Sequence, residues 1–405
     1  MRLISTFILT AVILTQSMFV ALAADSSGGD GASPWEETYN CDIDISEFMD
    51  RLYVVLSSEE HLGKYEKVAE VAQMLKGLGV FDITGGQTEW IVSGEDIYLR
   101  DVTTFDHSEG TLYSDYYGLP DTELRSAKYV SHNDYMLYFA LTGLVDKLML
   151  TLESPTISPQ GDQVTLMEML GEIPDEDIAQ GLGMIKALQL DKLLGDILSG
   201  EIALVVYQPP DFAKIAGGNF QPTDIDAAII VGIKDPAYVA EMAGTYGSEI
   251  GLVPLEIDDP AWNGYRLVGE EGIGFAFNDE ILIASPNFDM AALHVGMAES
   301  DGGMDIAPCQ FHLDMDMERL HTGLIHPGVQ MLAQHADATV VPQHESMMYL
   351  FNVPEPDALG HLVLTESYPE GNCVVELEMK KAVLTYAVFY VAMGLDVAFQ
   401  SGAFN

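Results

Sequence analysis

Basic residues are scarce. Across 405 residues there are 17 Lys and Arg against 63 Asp and Glu, a formal net charge of −46. So acidic a chain repels nucleic acid, and too few cations remain to track a phosphate backbone. Cysteine is scarcer still. Cys41, Cys309 and Cys373 allow at most one disulfide, which excludes a disulfide-dense scaffold. Familiar catalytic strings are missing as well: there is no Gly-x-Ser-x-Gly elbow, Walker loop, His-Glu-x-x-His or complete dinucleotide fingerprint. That does not exclude an enzyme, because a triad assembled in space leaves no local trace.

What is present is an ordinary globular composition, 48% apolar and 9% aromatic. A disordered acidic tail would lack the apolar surface for a core. The start of the chain has the form of a secretory signal peptide. Met1-Arg2 is basic, Leu3–Val20 is mostly apolar, and Ala21-Leu22-Ala23 gives a small-x-small cleavage pattern. The expectation is export to a secreted or periplasmic location, with residues 1–23 removed and no transmembrane span left. Residues 24–40 read as a flexible acidic leader. The remainder is expected to form an N-terminal α+β domain over 41–200 and a C-terminal one over 201–405. Lys380-Lys381 precedes an apolar run of 14 residues, Ala382–Leu395, short of the ~20 needed to span a bilayer. It reads as a buried terminal helix or strand.

Periodicity predicts an α+β fold of mostly antiparallel sheets with packed helices. Ser46 can cap a helix with Phe48, Leu52, Val55 and Leu56 on one stripe. A second helix carries Val68, Val71, Ala72 and Leu75. Strands are expected at Glu89–Ser93, Ile97–Val102, Thr111–Tyr117 and Asp134–Leu141, followed by a helix from Thr142 to Leu152 and a long helical stretch from Asp175 to Leu198. Glu201–Tyr207 and Ala227–Ile233 are apolar runs suited to buried strands, and Asp235-Pro236 makes a good helix start. A meander follows through Arg266–Val268, Gly272–Phe277 and Ile281–Ala284. Gln310–Leu313, Met347–Val353, His361–Glu366 and Cys373–Met379 complete the strands, with Asp316–Ala336 mostly helical. Cys309 and Cys373 fall in strand-like segments and form the candidate disulfide; three buried thiols are the alternative.

Four segments, Asn40–Leu56, Tyr135–Leu152, Ala228–Met242 and Cys309–Leu324, each run from a strand directly into an amphipathic helix. Their spacing suggests duplicated strand–helix–meander units, with ordinary alternation as the plainer alternative. Gly200–Val206, Ile233-Lys234-Asp235-Pro236 and the meander into Ile281–Ser285 together resemble a loose group of uncharacterised exported bacterial proteins built from such units. The resemblance covers the middle third of the chain. It implies an architecture and no activity.

Three constellations are candidate sites. His312, Asp314, Asp316, His321, His344 and Glu345 could supply mixed nitrogen and oxygen ligands to a metal, although their spacing matches no zinc pattern. His326, His335 and His361 lie in the same stretch. The pairs Asp42-x-Asp44, Asp224-x-Asp226 and Asp314-x-Asp316 each put two carboxylates on one strand face. They make calcium or another divalent cation the candidate cofactor, against a solvated surface as the default. Tyr98, Tyr113, Tyr116 and Tyr117 could form a stacking platform for a ligand, against simple cross-strand packing. The leading expectation is therefore a secreted non-catalytic binding or structural protein of the cell envelope or exterior. Its partner would be a protein, a glycan or a cation. The alternative is an exported hydrolase using residues of 312–361.

Overall fold

The computed structural model describes residues 36–57, 72, 75–107, 111–132, 134–153, 155–157, 163–165, 195–257, 259–269, 272–328, 355–387 and 389. The signal-peptide pattern, most of the leader, the 175–194 stretch, the 347–353 strand and the residues His335, His344 and Glu345 lie outside them.

The chain builds an α+β fold around one antiparallel sheet of 13 strands. The strands are β1 (Glu36–Asp44), β2 (Ile83–Ser93), β3 (Asp96–Phe105), β4 (Leu137–Leu141), β7 (Leu198–Val206), β8 (Ala227–Ile233), β9 (Leu252–Leu255), β10 (Asn263–Leu267), β11 (Gly274–Phe277), β12 (Ile281–Ser285), β13 (Phe311–Asp316), β14 (His361–Ser367) and β15 (Cys373–Lys380). A separate hairpin pairs β5 (Pro155–Ile157) with β6 (Gln163–Thr165). The order across the sheet is β1-β2-β3-β15-β14-β13-β4-β7-β8-β12-β11-β10-β9. The expected boundary at residue 200 falls inside β7, and β13–β15 insert between β3 and β4, so the sheet does not divide there. Residues 36–40, read from composition as leader, pair with β2.

Local chemistry explains most elements. The Asp235 side chain accepts the Tyr238 N–H at 3.0 Å, Pro236 opens the helix Pro236–Ile250, and Gly251 ends it at φ 81°, a left-handed conformation that glycine adopts without strain. Each of the four strand-to-helix segments is a strand followed by a helix: β1 by Ser46–Ser57, β4 by Leu144–Glu153, β8 by Pro236–Ile250 and β13 by Met317–Leu320. Residues 381–387, beyond Lys380, are helical.

Two elements differ from expectation. Residues 112–117 form a helix, not a strand. Thr111 caps it by accepting the Ser114 N–H, and its tyrosine rings pack on Phe105 and Tyr368; this packing overrides their strand propensity. In helix Ser46–Ser57 the buried residue is Met49, while Phe48 and Val55 of the expected stripe are exposed. The three cysteines carry no disulfide. β14 separates Cys373 from the segment holding Cys309, two strand spacings or about 9.6 Å, beyond the roughly 7 Å that a bridge tolerates between Cα atoms.

Residues directly opposite in register share a sheet face. One such row crosses all 13 strands of the large sheet. It runs through Tyr39, Trp90, Leu99, Leu377, Leu364 and Leu313, then Phe139, Leu204, Ile229, Ala284, Phe275 and Tyr265 to Pro254. All are apolar or aromatic. The row on the opposite face changes character at β13. Asn40, Glu89, Arg100, Glu376 and Thr365 are polar, His312 is the pivot, and Ala140, Ala203, Ile230, Ile283 and Ala276 follow as buried apolar residues.

The coverings alternate accordingly. Around β14, β15 and β3 the all-apolar face is packed under Ala382, Val383 and Tyr386 of the C-terminal helical segment. From β4 to β12 the opposite face is packed, under Ala291 and Val295 of helix Phe288–Asp301 and Ala127 of the turn Arg125–Tyr129. In that half, among the described residues, the all-apolar face is left open, with Leu204 39% and Ile229 46% exposed.

Candidate functional site

One end of the sheet gathers the starts of β4, β8 and β14 and the ends of β7, β12 and β13. Two histidine–carboxylate clusters stand there. In the first, the Tyr135 hydroxyl donates to Asp314 Oδ2 at 2.6 Å, and His361 Nδ1 lies 2.7 Å from Asp314 Oδ1. Burial and the bond to the carboxylate push the Tyr135 phenol far up. The Asp314 bond raises His361 above the ordinary histidine value, against a smaller opposing effect of burial. A carboxylate that accepts from both neighbours orients the imidazole, and that is a positioning arrangement.

In the second cluster, His294 of the Phe288–Asp301 helix bridges two aspartates. Its Nδ1 bonds Asp134 Oδ2, and its Nε2 lies 3.2 Å from Asp226 Oδ2. The Tyr207 ring stacks on the imidazole, with centroids 3.8 Å apart and planes 5° from parallel. Burial works against the imidazolium here, but the two carboxylate bonds outweigh it and His294 is raised. With both nitrogens bonded to carboxylates in opposite directions, neither is turned towards a metal or a substrate. Asp134 and Tyr135 are consecutive, so the segment entering β4 contributes to both clusters.

On the all-apolar face at the same end lies a groove of about 450 Å³. Leu204 of β7, Ile225, Ala227 and Ile229 at the start of β8, Ala284 and Ser285 of β12, Phe275 of β11, and Leu252 and Leu267 of the β9–β10 edge line it. Ser285 is its hydroxyl-bearing residue, and that hydroxyl donates to the Ala227 carbonyl at 2.7 Å. Gly274 forms part of the floor. A Cβ there would come within 2.9 Å of the Tyr265 carbonyl oxygen and 3.2 Å of Phe288, so the tight packing behind the groove needs glycine.

The residues anticipated as metal ligands are dispersed. Asp314 and His361 meet, as described. His312 is buried beside Tyr138, its Nδ1 3.2 Å from Thr365 Oγ1, and desolvation lowers its pKa. Asp316 caps the next helix through the Arg319 N–H at 3.0 Å and pairs with the Arg319 side chain at 3.2 Å. His321 packs against Tyr386. Among the described residues no group of three or more His, Cys, Asp or Glu is placed to hold a metal ion.

The other acidic pairs have local partners. Asp44 accepts from Ser46, and Asp224 pairs with Lys214 at 2.5 Å. Of the four tyrosines, Tyr98 bonds Glu376 at 2.6 Å on the polar part of the sheet, and burial first, then that bond, pushes it up to about 12. Tyr113, Tyr116 and Tyr117 form an aromatic cluster with Phe105 and Tyr368, and the Lys147 ammonium lies 5.3 Å from the Tyr116 and Tyr368 ring centres.

Of these cluster residues, His294, Tyr207 and Asp134 are not among the candidates that the sequence offers. A single imidazole within the otherwise apolar run Met290–Val295 was the available signal for His294.

No protein-family model matches the chain, and no curated protein does. Among solved structures, one described as "Structure of crystal form I of TP0453" aligns with a TM-score of 0.27 and 7% identity, over 67% of this chain and 98% of that one. A likeness that weak carries no argument about fold or function. Among the described residues no helix is long and apolar enough to cross a membrane.

Proposed function

We propose that this is an exported, non-catalytic protein of the cell envelope or exterior, and that it binds an uncharged apolar molecule in the groove on the open face of β7–β12. The observation that carries the reading is the groove itself. Its volume of about 450 Å³ falls in the range of small-ligand sites, and among the described residues that line it there is neither a charged side chain nor an unengaged hydroxyl. Burying apolar surface is then the source of affinity. The acidic excess fits a protein that must stay dispersed while carrying an apolar patch, and the Met1–Ala23 pattern and the resemblance to exported bacterial proteins support export.

A direct test titrates the full mature chain with the neutral fluorophore N-phenyl-1-naphthylamine. Saturable, one-to-one enhancement that a long-chain alcohol displaces is expected. Enhancement that never saturates, or none at all, would overturn the reading. The hydrolase alternative keeps one observation, the half-exposed His361 held by Asp314. Hydrolysis of ester substrates that His361→Gln abolishes would favour it.

A further inference from the structure

The start of β8 has two sides. Ile225 and Ala227 line the groove, and Asp226 between them reaches His294 on the opposite face. The same stretch is tied to the end of β12 and the start of the 288–301 helix. The Ser285 hydroxyl donates to Ala227 O at 2.7 Å, and the Asn287 side-chain amide donates to Thr223 O at 3.1 Å. His294 therefore pins a groove wall from behind while Ser285 and Asn287 pin it along the sheet.

We infer that the Asp134–His294–Asp226 bridge is a pH-sensitive latch on the groove, closed while His294 is an imidazolium and loosened when it loses a proton. This rests on the groove being the binding site. The groups that face the imidazole are Asp134 from the segment before β4, Asp226 from the start of β8 and the Tyr207 ring from the end of β7. On its own helix, Asp289 is engaged by Arg266 at 2.5 Å. A neutral imidazole keeps one N–H, so one of the two carboxylates loses its donor on deprotonation. The cost is sharpened by burial: among the described residues Asp226 Oδ1 and the Tyr207 hydroxyl already lack a hydrogen-bond partner, and each buried polar atom left unpaired is expensive.

The direction follows from the raised His294. A histidine raised in the folded state contributes stability that is fully present below its ordinary value of 6.5 and lost as pH rises through the raised value. Burial holds the Tyr207 phenol above its ordinary range, so it stays protonated through that window.

The experiment follows N-phenyl-1-naphthylamine binding to the full mature chain from pH 6 to pH 9, with circular dichroism at each pH to confirm folding. The wild-type Kd is expected to rise about tenfold over this range as the imidazolium is lost. His294→Gln should flatten the profile. Asp134→Asn, which keeps the Asp226 bond, should move the midpoint to lower pH, and it provides the test if His294→Gln does not fold. A wild-type Kd that does not change with pH would overturn the latch and leave the groove standing. An unmoved midpoint in Asp134→Asn would do the same. No saturable binding at any pH would instead remove the groove reading on which the latch depends.

Discussion

The two halves of the sheet use the same row of apolar side chains differently. In the β14–β15–β3 half, Leu99 and Leu377 are 5% and 8% exposed beneath the C-terminal helical segment. In the β7–β12 half, Leu204 and Ile229 occupy equivalent register positions, and the groove runs over them. The helix that could have covered them, Phe288–Asp301, packs on the other face. The difference teaches that apolar alternation fixes which face can be buried, while the side on which the chain lays each helix decides which face is. Where the helix crosses over, an apolar face is left to serve as a surface.

The largest expected effect breaks the covered half. Leu377→Ala should cost about 2–5 kcal/mol in chemical denaturation, the usual cost of emptying a buried leucine site. Leu204→Ala, on the same row, should cost under about 1 kcal/mol, because its side chain is already partly in water.

Next in size is the seam between the halves. Tyr135→Phe removes the hydroxyl that donates to Asp314 and should destabilise by about 1–3 kcal/mol, the cost of leaving a buried acceptor short of a donor. His361 sharpens the point through pH. Because it is raised, its contribution is present below its ordinary value of 6.5 and declines as pH rises through the raised value. In thermal melts across pH, His361→Gln should lose less stability on the alkaline side than wild type. Buried His312 is lowered and has the opposite sign: its contribution is present above 6.5 and is lost as pH falls.

The smallest effect concerns thiols. Burial pushes the Cys309 thiol up to about 12, and it sits in the core of the β4–β12 half. Cys41 is exposed on the edge strand. Alkylation of the native protein followed by mass spectrometry should modify Cys41 readily and leave Cys309 unmodified until denaturant is added. Rapid native labelling of Cys309 would mean that this half is not closed as described.

Much of the fold was legible because its signals are local. Ala227–Ile233 reads as a strand from its apolar run and is one over the same residues, and Asp235-Pro236 starts a helix as its capping chemistry requires. The α+β class and the four strand-to-helix passages follow from changes of period along the chain. What the sequence could not show was long-range: the insertion of β13–β15 between β3 and β4 depends on pairings such as Leu377 with Leu99, which leave no mark on either segment alone. The site was hidden for the same reason. His294, Asp134 and Asp226 come from three distant segments, and the groove exists only where one helix leaves a face uncovered. Asp314 and His361 could be singled out by residue type, but their meeting depends on the register of β13 against β14. The tyrosines at 113, 116 and 117 misled because strand propensity and aromatic clustering on a helix look alike in one dimension.

The most direct test substitutes one residue in each half of the shared row and measures stability and N-phenyl-1-naphthylamine binding together. Ile229→Ser is predicted to abolish saturable binding while the unfolding midpoint stays close to wild type, and Leu377→Ser is predicted to lower the midpoint sharply. If Ile229→Ser destabilises the protein as much as Leu377→Ser does, or binds the probe as wild type does, then the open face is not a ligand groove and the account is contradicted.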